Sequence, residues 1–367
     1  MIECRTIKEL CSVVVDCPHS TPTWTAEGKI VVRNNNIKNG RIDFSSPSYT
    51  DDEHYQQRIK RATPQGGDII ITREAPMGEV GMIPEGIVCC LGQRMVLLRA
   101  NPDICDNYYL LYSLQSRYVQ HQISWSEGTG TTVSNLRIPH LEQLKIPYLP
   151  LSQQRQVSSV LRCLEEKIKH NRVINDNLQQ QAQAIYASMF VDNAEPTWKQ
   201  GHLSDFVIVR YGKDHKKLAD GIYPVYGSGG IMRHVERPLY DKESVLIPRK
   251  GTLNNVMYVN QPFWSVDTMF YTEMRLPNVA KFVYHFVKAK DLAAMNAGSA
   301  VPSMTTDILN AMEIAIPPAT VLEEFESLVA PMYRAMQGND AQSKKLADLR
   351  NALLPCLLYT SDAADEE

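Results

Sequence analysis

The sequence lacks an apolar run of the roughly 20 residues that a membrane-spanning helix needs. Its first residues, MIECRTIKELCSVVVDC, also lack the basic segment and apolar stretch that are typical of a signal peptide. Its eight cysteines form no C-x-x-C pair and have no histidine nearby at metal-ligand spacing. We therefore expect thiols that serve as small buried side chains, as in the apolar run around Cys89 and Cys90, no metal site, no membrane contact and a cytoplasmic location.

Motifs that would indicate catalysis are also missing. The sequence has no G-x-x-x-x-G-K-[ST] phosphate loop, no G-x-G-x-x-G after a strand and no G-x-S-x-G elbow. The N-P-P and D-P-P tetrapeptides of amino-methyltransferases are absent too. The Gly-rich segment YGSGGIM, residues 226–232, is not followed by Lys-Ser or Lys-Thr, so we interpret it as a loop. These absences favour a binding protein over an enzyme.

The chain has little excess of positive charge. Its formal net charge is −3, which argues against a simple DNA-binding protein. Residues 1–150 carry 15 Lys and Arg against 16 Asp and Glu, whereas residues 198–318 carry 14 against 11. The excess is concentrated in the segment RYGKDHKK, residues 210–217. Because DNA binding needs a positive face and not a positive total, the balance still allows it.

What the sequence does contain is a long internal repeat. The segment from Gly128, GTGTTVSNLRIPHLEQLKIPYLP, aligns with the segment from Gly298, GSAVPSMTTDILNAMEIAIPPAT, at an offset of 170. Upstream, DIIITREAPMGEVGMI aligns with SVLIPRKGTLNNVMYV at an offset of 176, which places Arg73 and Arg249 at the same strand end. Chance similarity of short apolar strands is the alternative for the second match. The order of both matches predicts a duplicated plan of domain, helix, domain, helix.

Two segments show heptad spacing typical of long paired helices. The first seam begins at Val157 and ends at Met189, and the second runs from Val321 to Leu353. Both seams are apolar at their ends and polar at their centres, so an antiparallel pair would bring the polar centres together and fix the register; these central residues are Asn171, Asn175, Asn339 and Gln342. Packing of each helix on its own domain is the alternative. Pro331 and Gly338 predict a kinked or loosened second helix.

The predicted fold is α+β, with two globular mixed α/β domains in tandem repeat, separated by two long helices that pair as an antiparallel coiled coil. The predicted parts are domain 1 at 1–150, helix 1 at 151–193, domain 2 at 194–318, helix 2 at 319–358 and a tail at 359–367.

In these features the sequence resembles the specificity (S) subunits of type I restriction–modification enzymes, over nearly the whole chain. The resemblance rests on RNNNIKNGRI, GGDIIITREAPMGEVGMIP and IPYLPLSQQRQV in the first half. In the second half it rests on GIYPVYGSGGIMRHVE, SVLIPRKGTLNNVMYV, PFWSVDTMF and DLRNALLP. The C-terminal LLYTSDAADEE departs from the family pattern: it is either unrelated sequence or a genuine solvated tail.

The resemblance implies a non-catalytic subunit that reads a split target in double-stranded DNA with two target-recognition domains. It implies partners: two modification (methyltransferase) subunits on the helices, and restriction/translocase subunits. It places S-adenosylmethionine, ATP and Mg on those partners and no cofactor on this chain.

Residue chemistry suggests which side chains contact DNA, because Arg and Lys suit guanine, Asn and Gln suit adenine, and Lys, Ser and Thr suit phosphates. The candidates in the first domain are Asn34, Asn35, Asn36, Arg73 and Arg94, with Thr129, Thr131 and Thr132 for phosphates. Those in the second domain are Lys213, Lys216, Lys217, Tyr226, Ser228, Arg233, Arg249, Lys250 and Asn254. For each of them an ordinary polar loop residue is the alternative. Phe263 and Trp264 are expected in the core and not on a displaced base.

Other functions remain open at this point. The chain could be the recognition subunit of another methyltransferase or phage-defence system. It could also be a nuclease, although no convincing P-D and E-x-K arrangement is found, or a scaffold whose domains bind protein.

Overall fold

The computed structural model of the chain describes residues 3–38, 40–125, 135–295 and 303–358, and the side chains of all but 355–358 of these. It divides into two compact units, Met1–His170 with Gln342–Glu367, and Asn171–Ala341. Each unit holds one globular domain and part of both long helices.

The elements of the first domain follow the chain in this order: β1 (Cys4–Thr6), α1 (Ile7–Leu10), β2 (Cys11–Asp16), β3 (Lys29–Val32), β4 (Ile37–Lys38), β5 (Arg41–Ile42), β6 (Ser48–Thr50), α2 (Asp52–Arg58), β7 (Ile69–Thr72), β8 (Val80–Met82), β9 (Cys89–Leu91), β10 (Met95–Ala100), α3 (Asn107–Gln115), α4 (Arg117–Ser124), α5 (Ile138–Gln143) and β11 (Lys145–Pro147).

These strands form layers around a central antiparallel sheet of order β2-β10-β7-β8. A second sheet has the order β6-β3-β9, in which β3 and β9 run parallel, and β1 pairs with β11. Every residue of β7, the IIIT run, is buried, since apolar side chains cover both of its faces. The helix α3 packs its buried Leu110, Leu111 and Leu114 against this core.

The elements of the second domain are β12 (Lys199–His202), α7 (Leu203–Phe206), β13 (Val207–Tyr211), β14 (Asp220–Gly227), β15 (Gly230–Val235), β16 (Ser244–Pro248), β17 (Met257–Val259), β18 (Trp264–Ser265), β19 (Met269–Met274), α8 (Ala280–Lys288), α9 (Thr306–Asn310) and β20 (Glu313–Ile316). Their sheets have the orders β13-β19-β16-β17, β15-β14-β18 and β12-β20. Each has its counterpart in the first domain, including the parallel pair, here β14 and β18. The predicted tandem repeat is therefore confirmed.

Single backbone hydrogen bonds repeat as well. Gly92 N donates to Val32 O at 2.8 Å, and Val266 N donates to Tyr226 O at 3.1 Å. These bonds match the end of β3 with the end of β14. Asn34, two residues beyond Val32, therefore corresponds to Ser228, two residues beyond Tyr226.

The predicted correspondence of the two arginines holds for the main chain. Arg73 N donates to Arg94 O at 2.8 Å, and Arg249 N donates to Thr268 O at 2.9 Å. Arg94 and Thr268 are thus equivalent positions, each just before the long central strand β10 or β19.

The long helices are α6 (Leu151–Ala187), which continues into a π-helical turn at Ser188–Asp192, and α10 (Ala319–Leu358). Within the first unit Arg350 Nη1 donates to Glu165 Oε1 at 3.1 Å, and Val157 lies in the same apolar cluster as Leu353. A residue nearer the N-terminus of α6 thus has its partner nearer the C-terminus of α10. The two segments therefore run antiparallel, as predicted.

The second unit shows the same direction of pairing, and both helices also pack on the second domain. Ala182 and Tyr186 of α6 share a core with Phe325 and Val329 of α10. The alternative that the helices pack on their domains is thus realised together with the pairing. Pro331 and Gly338 do not interrupt α10, which is helical throughout the range given above, and the kink or loosening expected at these residues stays a prediction.

The seven cysteines whose side chains the structure describes are free, and four of them are buried. Cys17, Cys89, Cys90 and Cys105 lie in the core of the first domain, and Cys163 on α6 is exposed. Within the described ranges, no His, Cys, Asp and Glu side chains cluster in a group that could hold a metal ion. No described helix is long and apolar enough to span a bilayer.

Candidate nucleic-acid interface

The first domain has a cleft of about 400 Å³ at the edge where β3 and β9 end. We call it the first-domain cleft; its lining residues are Pro22, Trp24, Arg33, Asn34, Asn35, Ala75, Gly92, Gln93 and Arg94. The register of the parallel pair sets Val32 beside Leu91, so the segments that follow both strands emerge at one edge. The cleft thereby collects two arginines and three carboxamides, which are the side chains that read base edges.

The predicted asparagine triplet forms a 3-10 turn directly after β3, and its members differ in their contacts. Asn36 Oδ1 accepts a hydrogen bond from Arg33 N at 2.9 Å, which shapes the turn. Asn34 Nδ2 donates to Glu74 O at 2.7 Å, while its Oδ1 is buried without a described partner. Asn35 is exposed in the cleft, so it is the member best placed to meet a ligand.

Two residues that line the first-domain cleft have a strained backbone conformation. Ala75 has φ of 47° and Arg94 has φ of 65°, and both line the cleft. Outside glycine the described residues include one further left-handed position, Asn278. Such conformations are disfavoured for L-residues and concentrate at functional sites. The strain therefore supports a functional role for the first-domain cleft.

Arg73 does not line the cleft. Its side chain instead binds residues of neighbouring segments of the first domain. Its Nη1 contacts both carboxylate oxygens of Asp16 at 3.0 Å, and its Nε donates to Leu136 O at 2.9 Å. Its Nη2 donates to Asn135 Oδ1, and Asn135 Nδ2 donates in turn to Glu74 Oε1 at 2.6 Å. With its side chain only 12% exposed, this arginine has the geometry of a supporting group. Its predicted role as a direct DNA contact is not supported.

Arg58, which sequence reasoning missed, is a second buried support. It is 7% exposed and donates to the backbone carbonyls of Leu91, Gly92, Ser20 and Pro18 at 2.7–3.3 Å. No carboxylate pairs with it among the described ion pairs. The guanidinium of Arg58 therefore holds together the two segments that lead into the cleft, residues 18–20 and 91–92. Its positive charge lies under these segments.

The cleft contains three further residues that sequence reasoning missed. Trp24 is 46% exposed and lies under the guanidinium of Arg33 at 5.2 Å, and Gln93 lies beside Arg94. Trp24 and Arg33 are far in sequence from Gln93 and Arg94, and the proximity of these two groups depends on the pairing of β3 with β9. Thr129, Thr131 and Thr132 lie outside the described residues.

In the second domain the equivalent edge is the turn between β14 and β15. Ser228 lies in this turn, and Lys213, Lys216, Lys217 and Lys250 are exposed in the neighbouring loops.

Two candidate arginines of the second domain, Arg233 and Arg249, contact neighbouring residues. Arg233 Nη2 donates to Asp220 Oδ1 at 2.7 Å and to Leu218 O at 2.9 Å. The guanidinium of Arg249 lies 5.3 Å from the ring centre of Tyr211, which is 51% exposed. Unlike Arg73, Arg249 makes no described ion pair; it is half-buried, and its Nη1 donates to Asp267 O at 3.5 Å.

Two candidates of the second domain have structural contacts that leave them little room for DNA. Tyr226 is buried in the core, where its hydroxyl accepts a hydrogen bond from Gln261 Nε2 at 3.3 Å. Asn254 holds a loop, since its Nδ2 donates to Asp291 Oδ1 and its Oδ1 accepts from Ala293 N, both at 3.0 Å. Their predicted DNA contacts are therefore not supported.

The two aromatic residues next to this edge behave as predicted. Phe263 and Trp264 are buried, and the indole of Trp264 donates to Lys213 O at 2.8 Å.

The polar centres of the helices meet within the second unit. Asn171 Nδ2 donates to Asn339 O at 3.2 Å, and Asn339 Nδ2 donates to Asn175 Oδ1 at 2.8 Å. Asn175 Nδ2 donates to Asp340 Oδ1 at 2.8 Å, and burial raises the pKa of this carboxyl. Gln342 follows on α10 in the first unit.

Comparison with known proteins agrees with this architecture. The model of the type I restriction modification DNA specificity domain matches residues 3–180 and 195–323. The specificity subunit of the type I restriction enzyme MjaIX from Methanocaldococcus jannaschii is 22% identical over 337 residues, covering 80% of this chain and 77% of that protein. A putative type I specificity subunit from Mycoplasma genitalium, S.MgeORF438P, is 25% identical over 180 residues, 44% of this chain and 45% of that protein.

Among solved structures, the type I restriction–modification S subunit from M. genitalium has the same fold, with a TM-score of 0.62 at 18% identity over 99% of this chain and 97% of that one. The duplicated topology, the match to the specificity domain in both halves and the similarity to specificity subunits together establish that the chain belongs to the family of non-catalytic type I restriction–modification DNA specificity subunits.

Proposed function

We propose that this chain reads a bipartite target in double-stranded DNA, one half with each domain, and that its paired helices dock two modification subunits. The observation that carries the proposal is that each domain exposes polar side chains at the same edge of its fold, the edge at which β3 ends in the first domain and β14 in the second. Equivalent strand ends carry Asn35 and Arg94 in one domain and Ser228 and exposed lysines in the other. Two domains of one topology with different side chains at the same edge suit two different half-sites.

The functional division that we propose follows the sequence: recognition domains at 1–150 and 194–318, and helices at 151–193 and 319–358. Helices of this length suit a spacer, because each residue adds about 1.5 Å to an α-helix. We further propose that S-adenosylmethionine, ATP and Mg bind to the modification and restriction/translocase partners and not to this chain, and that the complex works in the cytoplasm.

The test is selection of duplexes from a random pool by the chain co-purified with its modification subunit. The expected result is a split motif with a fixed unspecified gap. The N35A/R94A variant should lose information in one half of the motif, and a K213A/K217A/K250A variant should weaken binding mainly at the other half. A single contiguous motif, or no enrichment by an assembled complex, would contradict the proposal.

A salt series separates DNA reading from a pure protein scaffold. Phosphate contacts release counterions, so the affinity for duplex DNA should fall steeply between 50 and 200 mM salt. Shortening α6 and α10 by matched whole turns should shorten the gap of the selected motif while both half-sites persist.

A further inference from the structure

The β14–β15 hairpin carries two exposed apolar side chains in β15, next to its turn of Ser228 and Gly229. We call these two side chains, Ile231 and Met232, the apolar tip. Gly227 pairs with Gly230 across a two-residue turn, and Ile231 and Met232 follow directly. Ile231 is 54% exposed and Met232 is 61% exposed. Single exposed apolar residues are common on protein surfaces, but two adjacent ones at a tight turn form a small projecting apolar surface.

This tip lies at the edge that corresponds to the first-domain cleft. Ser228 in the turn is equivalent to Asn34, which lines that cleft. The turn is also fixed from below, because Asn255 Nδ2 donates to Ser228 O at 2.8 Å. The tip is therefore held rigidly at the part of the domain where the proposed function places DNA.

Exposed lysines lie in the loops next to this hairpin. The loop that carries Lys213 and Lys217 is joined to β15 by the hydrogen bond from Arg233 to Leu218 O. Lys250 belongs to the segment that reaches the turn, since a Cβ on Gly251 would lie 2.7 Å from Ser228 Oγ. These three lysines are exposed and make no ion pair within the described ranges. Exposed apolar side chains with unpaired lysines in the adjacent loops are complementary to stacked bases flanked by phosphates.

We propose that Ile231 and Met232 form a wedge that enters between two stacked base pairs of the half-site read by the second domain, while the lysines of the adjacent loops hold the flanking phosphates. Apolar wedges of Ile, Leu, Met or Phe kink duplexes in this way. The first domain has a polar turn of asparagines at the equivalent edge, so its half-site stays stacked. This inference rests on the proposed function and adds that deformation of the duplex contributes to recognition of one half-site only.

The test uses the chain assembled with its modification subunit and duplexes that carry 2-aminopurine at successive positions of both half-sites. The fluorescence of this base rises when it loses its stacking neighbour. We expect a rise at one step of the second half-site. The I231S/M232S variant should abolish the rise and weaken binding about tenfold, with selection at the first half-site unchanged.

The matched control is I222S. Ile222 is 77% exposed on the same hairpin but at the opposite end of β14 from the turn, so its replacement should leave both fluorescence and affinity as in the wild type. Thermal unfolding of each variant checks that the hairpin still folds.

Two results would overturn the wedge. In one, the wild-type complex selects its split motif but brightens no step of the second half-site. In the other, the rise persists in I231S/M232S, as it would if the modification subunit extruded the base. If no split motif is selected at all, the proposed function itself fails, and the two failures are therefore distinguishable.

Discussion

Glu74 Oε2 lies 3.4 Å from Arg94 Nε, while the other oxygen of the same carboxylate accepts the amide of Asn135. The arginine side chain is 57% exposed and the glutamate side chain 23%. Glu74 is thus fixed by the domain and restrains an arginine that reaches the surface of the first-domain cleft. A guanidinium held on one side in this way is suited to a directed contact with a base, because less side-chain entropy is lost on binding.

The R94K variant should lose discrimination at one base pair of the first half-site. Lysine keeps the charge but not the planar fork that pairs with guanine O6 and N7, so the expected loss is about 1–3 kcal/mol at that position. Duplex selection by the assembled complex measures this loss, and the second half-site serves as the internal control. Equal weakening at every position would show that Arg94 contacts only phosphate.

Arg58 should be essential for the stability of the first domain although it touches no DNA. Replacing it with methionine removes the donor from two buried carbonyl oxygens, those of Leu91 and Gly92, and from the part-buried carbonyls of Pro18 and Ser20. Each unsatisfied buried acceptor costs about 1–3 kcal/mol. Because water can hydrate the partly exposed carbonyls in the variant, part of this cost is recovered. We therefore expect a loss of about 3 kcal/mol in the free energy of unfolding, measured by urea titration. The exposed Arg61, replaced in the same way, is the control, and equal stability of R58M would contradict the assigned role.

The N175A variant should destabilise the helix pair by about 1 kcal/mol, since it removes the hydrogen bonds to the part-buried Asn339 Nδ2 and to the exposed carboxylate of Asp340. The neighbouring Ile174 is 43% exposed, so I174A should change the free energy of unfolding by less than about 0.5 kcal/mol. Urea titration of both variants makes the comparison. If N175A proves as mild as I174A, the polar layer does not hold the helices in register.

Stability should decline on mild acidification because of His285. Its ring is buried between Gln183 Oε1 at 2.8 Å and the hydroxyl of Tyr333 at 2.9 Å, and burial lowers the pKa of this histidine to about 4. Between that value and the ordinary value of 6.5 the unfolded chain binds the proton and the folded chain does not. The free energy of unfolding is therefore unaffected by this group above pH 6.5 and falls by about 1 kcal/mol per unit as the pH drops toward 4.

The measurement for His285 is a urea titration at pH 7, 6 and 5 on the wild type and on H285Q. Glutamine keeps a polar side chain but does not titrate, so the slope between pH 6 and 5 should become shallower in the variant. Identical slopes would assign the acid sensitivity to other groups.

The sequence predicts the duplicated fold well because repeats and heptads are periodic signals that survive divergence. It predicts individual contacts less well, since a polar side chain looks the same whether its partner is DNA or its own domain. Arg73 and Arg249 share a backbone position, yet Asp16 is present to bind the first, whereas the second is half-buried and makes no described ion pair. Trp24 shares a cleft with Gln93 and Arg94 only through a parallel strand pairing that the local sequence does not indicate.

Burial of the cysteines has a practical consequence for chemical labelling. Alkylating reagents react with the thiolate, and burial raises the pKa of Cys90 to about 11 and those of Cys89 and Cys105 to about 12. Among the cysteine side chains that the structure describes, Cys163 on α6 is the exposed one. Of these described cysteines, a maleimide dye added to the native chain should therefore attach first to Cys163 on α6, which gives an optical reporter of the proposed partner docking without any mutation.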